Sequence, residues 1–474
     1  MDRWKVGTAG GAVLTASGGE LFDAVLEKIW EGEMYLTRRA RALFSAVGFI
    51  VVTMLMMIPD DAEAIPAFSR QTGESCSRCH FLTFPALNRI GREFKRSAYT
   101  TLEGEPATKT DDVITFPVFM NASFVVNSKF THTKVSGTNP SSTSTYTIPL
   151  EPAPLLIAGR VGNHIGLITA LGGPGEGGGA AGTFTSNWKL LSSFEVGEND
   201  LRVGFNLFNT AYGWTAGLEN SNVFGQHGGV LNGSNITALF NIGMMKLNME
   251  GGTLWGGNDF WTVGLTAVLP KGFTVDTSNI GPHPIPGMRV AIHPEINGWE
   301  TMLGAGLLKG TAKMYNTGVQ KTASADMWFL DGQLEGEFDE LGVGVYADYA
   351  HTKARPGVTY NIFGAEPLEW INNAYAGGNA EAGDQTDGWS VRVMVKPVEH
   401  IIVGGGFGRT VARRVAAADD ALSVWNLGVI YEIYQNSEIK LIYGEQKMGP
   451  NYPTNATNAA RKTRSTTIQY EVLM

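Results

Sequence analysis

The stretch Trp261-Thr262-Val263-Gly264-Leu265-Thr266-Ala267-Val268-Leu269 puts apolar residues at odd positions and mostly small or polar ones at even positions. Successive side chains of a strand point to opposite faces, so this stretch has one apolar face and one small or polar face. The same two-residue period recurs along the chain. Trp188, Leu190, Phe194 and Val196 alternate with Lys189, Ser193 and Glu195; Leu201, Val203, Phe205 and Leu207 alternate with Arg202, Gly204 and Asn206. Further on come Trp389, Val391, Val393 and Val395, then Leu427, Val429, Tyr431 and Ile433. The chain ends with Thr466, Ile468, Tyr470, Val472 and Met474 on one face and Thr467, Gln469 and Glu471 on the other. No helical period is sustained from Val113 to Met474.

A soluble sandwich alternates too, so a membrane barrel needs further support. Trp188, Trp261, Trp389, Tyr431 and Tyr443 fall on or near strand ends, as interfacial girdles require, and strands run to the last residue. At roughly 20 to 23 residues per strand and loop, residues 113–474 make an antiparallel transmembrane β-barrel of about 16 strands. Composition agrees: 17% charged residues is low, while 60 glycines and 11 tryptophans are many. The net charge of -9 with no basic stripe argues against nucleic acid. Clusters of Gly, Pro, Ser and Asn place loops at residues 136–145, 172–182, 282–287, 372–387 and 449–458.

Upstream of the barrel lies a different kind of sequence. Cys76-Ser77-Arg78-Cys79-His80 holds the chain's only two cysteines, in the C-x-x-C-H spacing of c-type haem attachment. Two thiols can form thioethers to the ring, and the imidazole after them can ligate its iron as proximal ligand. A zinc site needs about four ligands, and no second Cys/His pair is near. A redox C-x-x-C belongs to a βαβ unit that this sequence lacks; a buried disulfide is the remaining alternative. The motif therefore predicts one covalently attached haem c, held by Cys76, Cys79 and His80.

Export fits the motif. Arg38-Arg39-Ala40-Arg41, the uncharged run 42–58 and Ala62-Glu63-Ala64 form the basic, apolar and cleavage regions of a secretory signal. The expected organisation is an upstream extension over 1–33, a signal peptide over 34–64, a mono-haem segment over 65–112 and the barrel over 113–474. Pro85 suits the first turn of a helix whose stripe is Leu87, Ile90 and Phe94. Arg89, Arg92, Lys95 and Arg96 lie off that stripe, either pairing haem propionates or forming a solvated basic face. The segment is too small to enclose a haem alone, so it is expected in or on the barrel lumen.

After His80 the segment has no Met or second His, which leaves Met120 and His132, on or just after the first strand, as candidates for the sixth iron ligand. If Leu334 and Phe338 face lipid, Glu335, Glu337 and Asp339 face the lumen, where they either attract ferrous iron or form an ordinary polar lining.

The residues Ala67-Phe68-Ser69-Arg70-Gln71-Thr72-Gly73, the C-x-x-C-H motif, Phe84-Pro85-Ala86-Leu87-Asn88, Gly91-Arg92, Phe94-Lys95 and Tyr99 resemble the outer-membrane cytochrome-porin fusions of iron-oxidising bacteria. The resemblance is specific over residues 65–100 and architectural beyond. It implies a Gram-negative-type outer-membrane protein, in contact with outer-membrane lipid. By the same resemblance its haem would take electrons from extracellular ferrous iron and pass them to a periplasmic carrier such as a soluble cytochrome c, which would make it an Fe(II) oxidase. Ile90 and Ser97-Ala98 depart from the family pattern, and Met474 stands where outer-membrane proteins commonly have a terminal aromatic. Two alternatives stay open: a diffusion porin with a structural or gating haem plug, and a conduit exporting electrons to an external acceptor.

Overall fold

The computed structural model describes residues 67–82, 87–100, 107–109, 115–117, 121–137, 140–147, 155–172, 185–197, 200–209, 237–242, 249–270, 283–316, 319–355, 360–361, 384–415, 418–434, 436–450 and 461–473. The expected extension, signal peptide and cleavage site lie outside them.

Three short helices come first: α1 (Ala67–Thr72), α2 (Cys76–Cys79) and α3 (Arg89–Arg96). A small hairpin of β1 (Ala107–Lys109) and β2 (Thr115–Pro117) follows. The wall then begins with β3 (Ala122–Gly137), β4 (Ser141–Thr147), β5 (Leu155–Arg160), β6 (Ile165–Gly172), β7 (Thr185–Ser192), β8 (Phe194–Glu195) and β9 (Arg202–Phe208). After the one-turn helix α4 (Ala238–Asn241) it continues with β10 (Met249–Gly257), β11 (Trp261–Pro270), β12 (Ile285–Ile292), β13 (Glu295–Ile296), β14 (Trp299–Asn316) and β15 (Val319–Phe338). It ends with β16 (Leu341–Lys353), the two-residue β17 (Tyr360–Asn361), β18 (Gln385–Val398), β19 (Ile401–Arg413), β20 (Asp420–Tyr434), β21 (Ser437–Met448) and β22 (Arg461–Leu473).

Each strand pairs with its neighbour, antiparallel except at β17, and β22 pairs with β3 along thirteen residues, from Arg461↔Gly137 to Leu473↔Val125. The ladder thus returns to its first strand. β4 runs on as β5, β7 as β8 and β12 as β13, and β17 only flanks β15, so the twenty strands of the ring form sixteen staves among the described residues. The expected loop at 136–145 is mostly strand, since β3 and β4 pair there as a hairpin, and β12 and β18 begin inside the loops expected at 282–287 and 372–387. Their Gly, Pro, Ser and Asn residues read as turns, but strands at a barrel rim leave the apolar layer and tolerate them.

The alternation sorts the wall into two surfaces. Outward residues include Leu254, Leu265, Leu303, Leu330, Phe338, Leu427, Leu441 and Ile468, each at least 48% exposed. Inward residues at intervening positions include Thr253, Thr266, Arg289, Asp331, Glu335, Asp348, Arg392, Lys440 and Gln469, all buried. The interior also holds a buried apolar cluster, including Phe208, Leu239, Ile242, Met327, Phe329 and Met394, and a broad apolar exterior around such a mixed interior is the distribution of a barrel in a bilayer. Of the aromatics expected in the girdles, Trp389, Tyr431 and Tyr443 are exposed at 44%, 51% and 41% on the outer face, and Trp188 and Trp261 are partly exposed. No helix among the described residues is long and apolar enough to cross a membrane; the strands do so. This inside-out surface bears out the expected outer-membrane placement.

One rim carries short connections at residues 339–340, 399–400 and 435–436, and the other carries long ones at 173–184, 209–248, 354–384 and 449–460. Outer-membrane barrels turn short side inward, to the periplasm.

Candidate functional site

The motif sits on a single helical turn. In α2, Cys76 and Cys79 are three residues apart and so share a face. His80 follows in extended conformation, its amide donating to the Cys76 carbonyl at 2.9 Å. The turn is braced by α3. Asn88 caps that helix, its Oδ1 accepting from the Gly91 amide at 3.0 Å, while its own amide donates to the Cys79 carbonyl and its Nδ2 to the Arg78 carbonyl. Gly91 is required here, because a Cβ would run into the Cys79 carbonyl oxygen. The helix starts later than the Leu87-Ile90-Phe94 stripe predicts, and Leu87 instead bridges His80 as an isolated strand pair. Pro85 lies outside the described residues.

Both cysteines are half-buried thiols, not joined in a disulfide. Burial pushes the Cys79 thiol up to about 11, against the opposing pull of Arg78. It also raises Cys76, whose Sγ lies 4.0 Å from the Ser69 hydroxyl. Both stay protonated at neutral pH.

The segment lies inside the short-turn mouth of the barrel and touches walls around the ring. On one side Phe68, Phe94 and Tyr99 form an aromatic trio with centroids 4.5 to 5.5 Å apart, packed with Leu191 of β7 and Trp255 of β10. Burial raises the Tyr99 phenol well above its ordinary range. Gln71 links the Tyr99 carbonyl to the Arg160 amide at the end of β5, and Gly166 of β6 leaves room for the Ala98 carbonyl. On the other side, Arg92 donates to Glu300 at 2.8 Å and reaches Glu335 at 3.5 Å, while Arg96 donates to Asp259 at 2.7 Å. Leu82 packs over Gly342 of β16. Its carbonyl accepts from Lys396 of β18, which also donates to Glu432 of β20 at 2.6 Å. The described residues of 67–100 therefore lie against inward-facing residues of the wall.

Of the four cations expected to pair haem propionates or form a solvated face, Arg89 is 56% exposed at its side chain, while the other three are not solvated. Arg92, Lys95 and Arg96 are buried, at 3%, 7% and 3% exposure; Arg92 and Arg96 bind wall carboxylates rather than forming a solvated face. Glu335 is taken up by this clamp and by the Tyr346 hydroxyl, which donates to it at 3.0 Å. Glu337 is exposed at the mouth, and Asp339 has left the strand for a left-handed turn with φ 45°. The three carboxylates do not converge, and no group of metal-ligating side chains occurs among the described residues.

Met120 lies outside the described residues. His132 shares the outward parity of Phe124 and Phe130, is exposed, and has Nδ1 2.9 Å from the Ser144 hydroxyl. It points away from the lumen and cannot ligate an iron held by His80. Phe130, two residues earlier, carries the signal that gives its face away.

Higher in the lumen, α4 folds in from the long 209–248 connection. The Leu239 amide donates to Asp348 at 2.9 Å, and Ala238 packs on Gly388. Sequence reasoning had no signal for this element.

No family model and no curated protein matches the sequence. Solved outer-membrane proteins do. OmpT of Vibrio cholerae is 12% identical, over 77% of this chain and 100% of its own, with TM-score 0.41. The outer membrane channel DcaP of Acinetobacter baumannii is 13% identical, over 74% of this chain and 96% of its own, with TM-score 0.43. OprD of Pseudomonas aeruginosa is 10% identical, over 74% and 94%, with TM-score 0.39.

Proposed function

We propose that this chain carries electrons across the outer membrane, from extracellular ferrous iron to a periplasmic carrier, through a haem c held in the short-turn mouth of its barrel. One observation carries the reading: a C-x-x-C-H turn, with both thiols on one face and the histidine beside them, is lodged inside a membrane barrel. The donor set fits the group. Cys76 and Cys79 would hold the ring by thioethers and His80 would ligate its iron. A haem there supplies a one-electron centre: one Fe(II) gives up one electron outside, and the carrier gains one inside. The chain's own residues fix the motif against the wall through Asn88, Gly91, Arg92 and Arg96, and the barrel keeps lipid away from it.

A second reading is a diffusion channel with this segment as plug. The lumen wall favours it, being lined with satisfied charges such as the Arg289–Asp331 fork at 2.6 and 2.7 Å and Lys440 between Glu438 and Glu471. Anaerobic mixing of the purified protein with ferrous iron, read by stopped-flow absorbance, separates the two. Rapid appearance of reduced c-type haem bands supports the conduit. Reduction by dithionite but not by ferrous iron at several pH values, with sugar permeation in liposomes, supports the channel. A preparation without a haem spectrum overturns the first reading.

A further inference from the structure

The outer face of β21, β22 and β3 changes character toward the long-loop rim. At mid-height one rung holds Leu441, Ile468 and Phe130, all exposed and apolar. The next outward rung holds Tyr443, Thr466 and His132. Above it stand Glu445, Arg464 and Lys134, then Lys447, Lys462 and Ser136. The single carboxylate, Glu445, accepts from Lys462 at 2.7 Å and Arg464 at 3.0 Å and has Lys447 at 3.7 Å. Glu445 is nearly covered, whereas side chains of Lys447, Lys462 and Arg464 are 65%, 33% and 47% exposed. Four cations around one carboxylate leave an excess of three positive charges facing outward.

Depth decides what that charge meets. Arg464 is four residues above Ile468, about 13 Å along a strand rising ~3.3 Å per residue. At a tilt of about 40° this is about 10 Å along the membrane normal, near the edge of an apolar band ~25 Å tall. Trp425 stands on the rung of Glu445 and packs against Tyr443 with centroids 5.6 Å apart, an aromatic pair at the same boundary. Toward the short turns, the same face holds Ile439, Tyr470 and Ser128, then Ser437, Val472 and Val126, without a charge.

We infer that Lys134, Lys447, Lys462 and Arg464 bind the phosphorylated headgroup of a lipid in the outer leaflet, with its acyl chains lying over Phe130, Leu441 and Ile468. Charge complementarity and the one-sided placement select an anionic, chain-bearing ligand. Arg464 and Lys462, already converging on Glu445, are preorganised for phosphate oxygens.

The test is binding of diphosphoryl lipid A to the delipidated full-length barrel in detergent, read by native mass spectrometry. The wild-type protein is expected to retain it, and the K462S/R464S variant to bind about 25-fold more weakly, roughly fivefold per cation. K462R, which keeps the charge, retains wild-type binding, and heat-modified gel migration checks that each variant folds. The inference is overturned if the double variant binds equally, if dephosphorylated lipid A binds as well as the phosphorylated form, or if millimolar inorganic phosphate alone displaces the lipid.

Discussion

Replacing Arg92 by methionine should release the motif-bearing segment from the barrel mouth while leaving the wall intact. Arg92 is 4% exposed at its side chain and donates to the Glu300 carboxylate and the Leu87 carbonyl, with Glu335 at 3.5 Å. Glu335, at 0% exposure, would lose the cation that faces it, whereas Glu300, at 30%, can turn to water. Stranding a buried charge by removing its partner costs about 3–5 kcal/mol. The long Arg92–Glu335 contact, the wet Glu300 and the freedom of a stranded carboxyl to take up a proton place this case below that range, at about 1.4 kcal/mol, or roughly tenfold in the docking equilibrium. The segment's amides report that equilibrium through hydrogen exchange, since α3 is held only while docked. Exchange over Arg89–Ser97 should therefore accelerate by about one order of magnitude, with β14 to β16 unchanged. The double variant R92M/E335L removes both charges and should recover most of the protection, because a buried pair replaced by apolar groups is often neutral. Unchanged exchange in R92M, or a double variant no better protected than the single, would refute the clamp.

Three further outcomes follow from the same geometry. Gly91→Ala forces a methyl into the Cys79 carbonyl and should expose the α2 turn to protease at a cost of about 1–3 kcal/mol, measured by pulse proteolysis. Alkylation of Cys79 in haem-free protein should rise with pH toward a midpoint of about 11, because burial disfavours the thiolate; a midpoint at the ordinary thiol value of about 8.5 would mean an open site. Leu265→Arg, on the outward face at 56% exposure, should lower folding stability in lipid vesicles by roughly 2–4 kcal/mol if that face meets the bilayer core. Equal stability of the two proteins in vesicles would argue that the face is wet.

Much of this arrangement was legible in the residues. The alternation at 261–269 marked a wall strand, and its even positions Thr262, Gly264, Thr266 and Val268 are buried on the inner side. Leu334 and Phe338 do face outward, at 36% and 66% exposure. The segment's smallness correctly predicted that it would lean on the barrel. What escaped was long-range. Arg92 finds Glu335 across 243 positions, and no local period announces a partner that far away. The cations looked like a solvated face because a helix wheel shows which residues share a side and not what that side meets. α4 lies in a long connection whose apolar residues, among them Ile236, Leu239 and Ile242, show no strand alternation and are too few for a helical period. For His132 the ligand chemistry of an imidazole says nothing about direction, whereas its parity with Phe130 decides which face it occupies.

The segment reaches the wall at the same rim it occupies, since β3 begins at the short-turn end, where Val125 pairs with Leu473. Withdrawing and reseating the segment breaks the Arg92 and Arg96 clamps and the aromatic packing, but none of the thirteen β3–β22 pairs. Closing the wall and seating its occupant are thus separable steps. The chain can complete one without waiting for the other, and any covalent change to the segment made on the periplasmic side before docking passes through a mouth already facing that compartment.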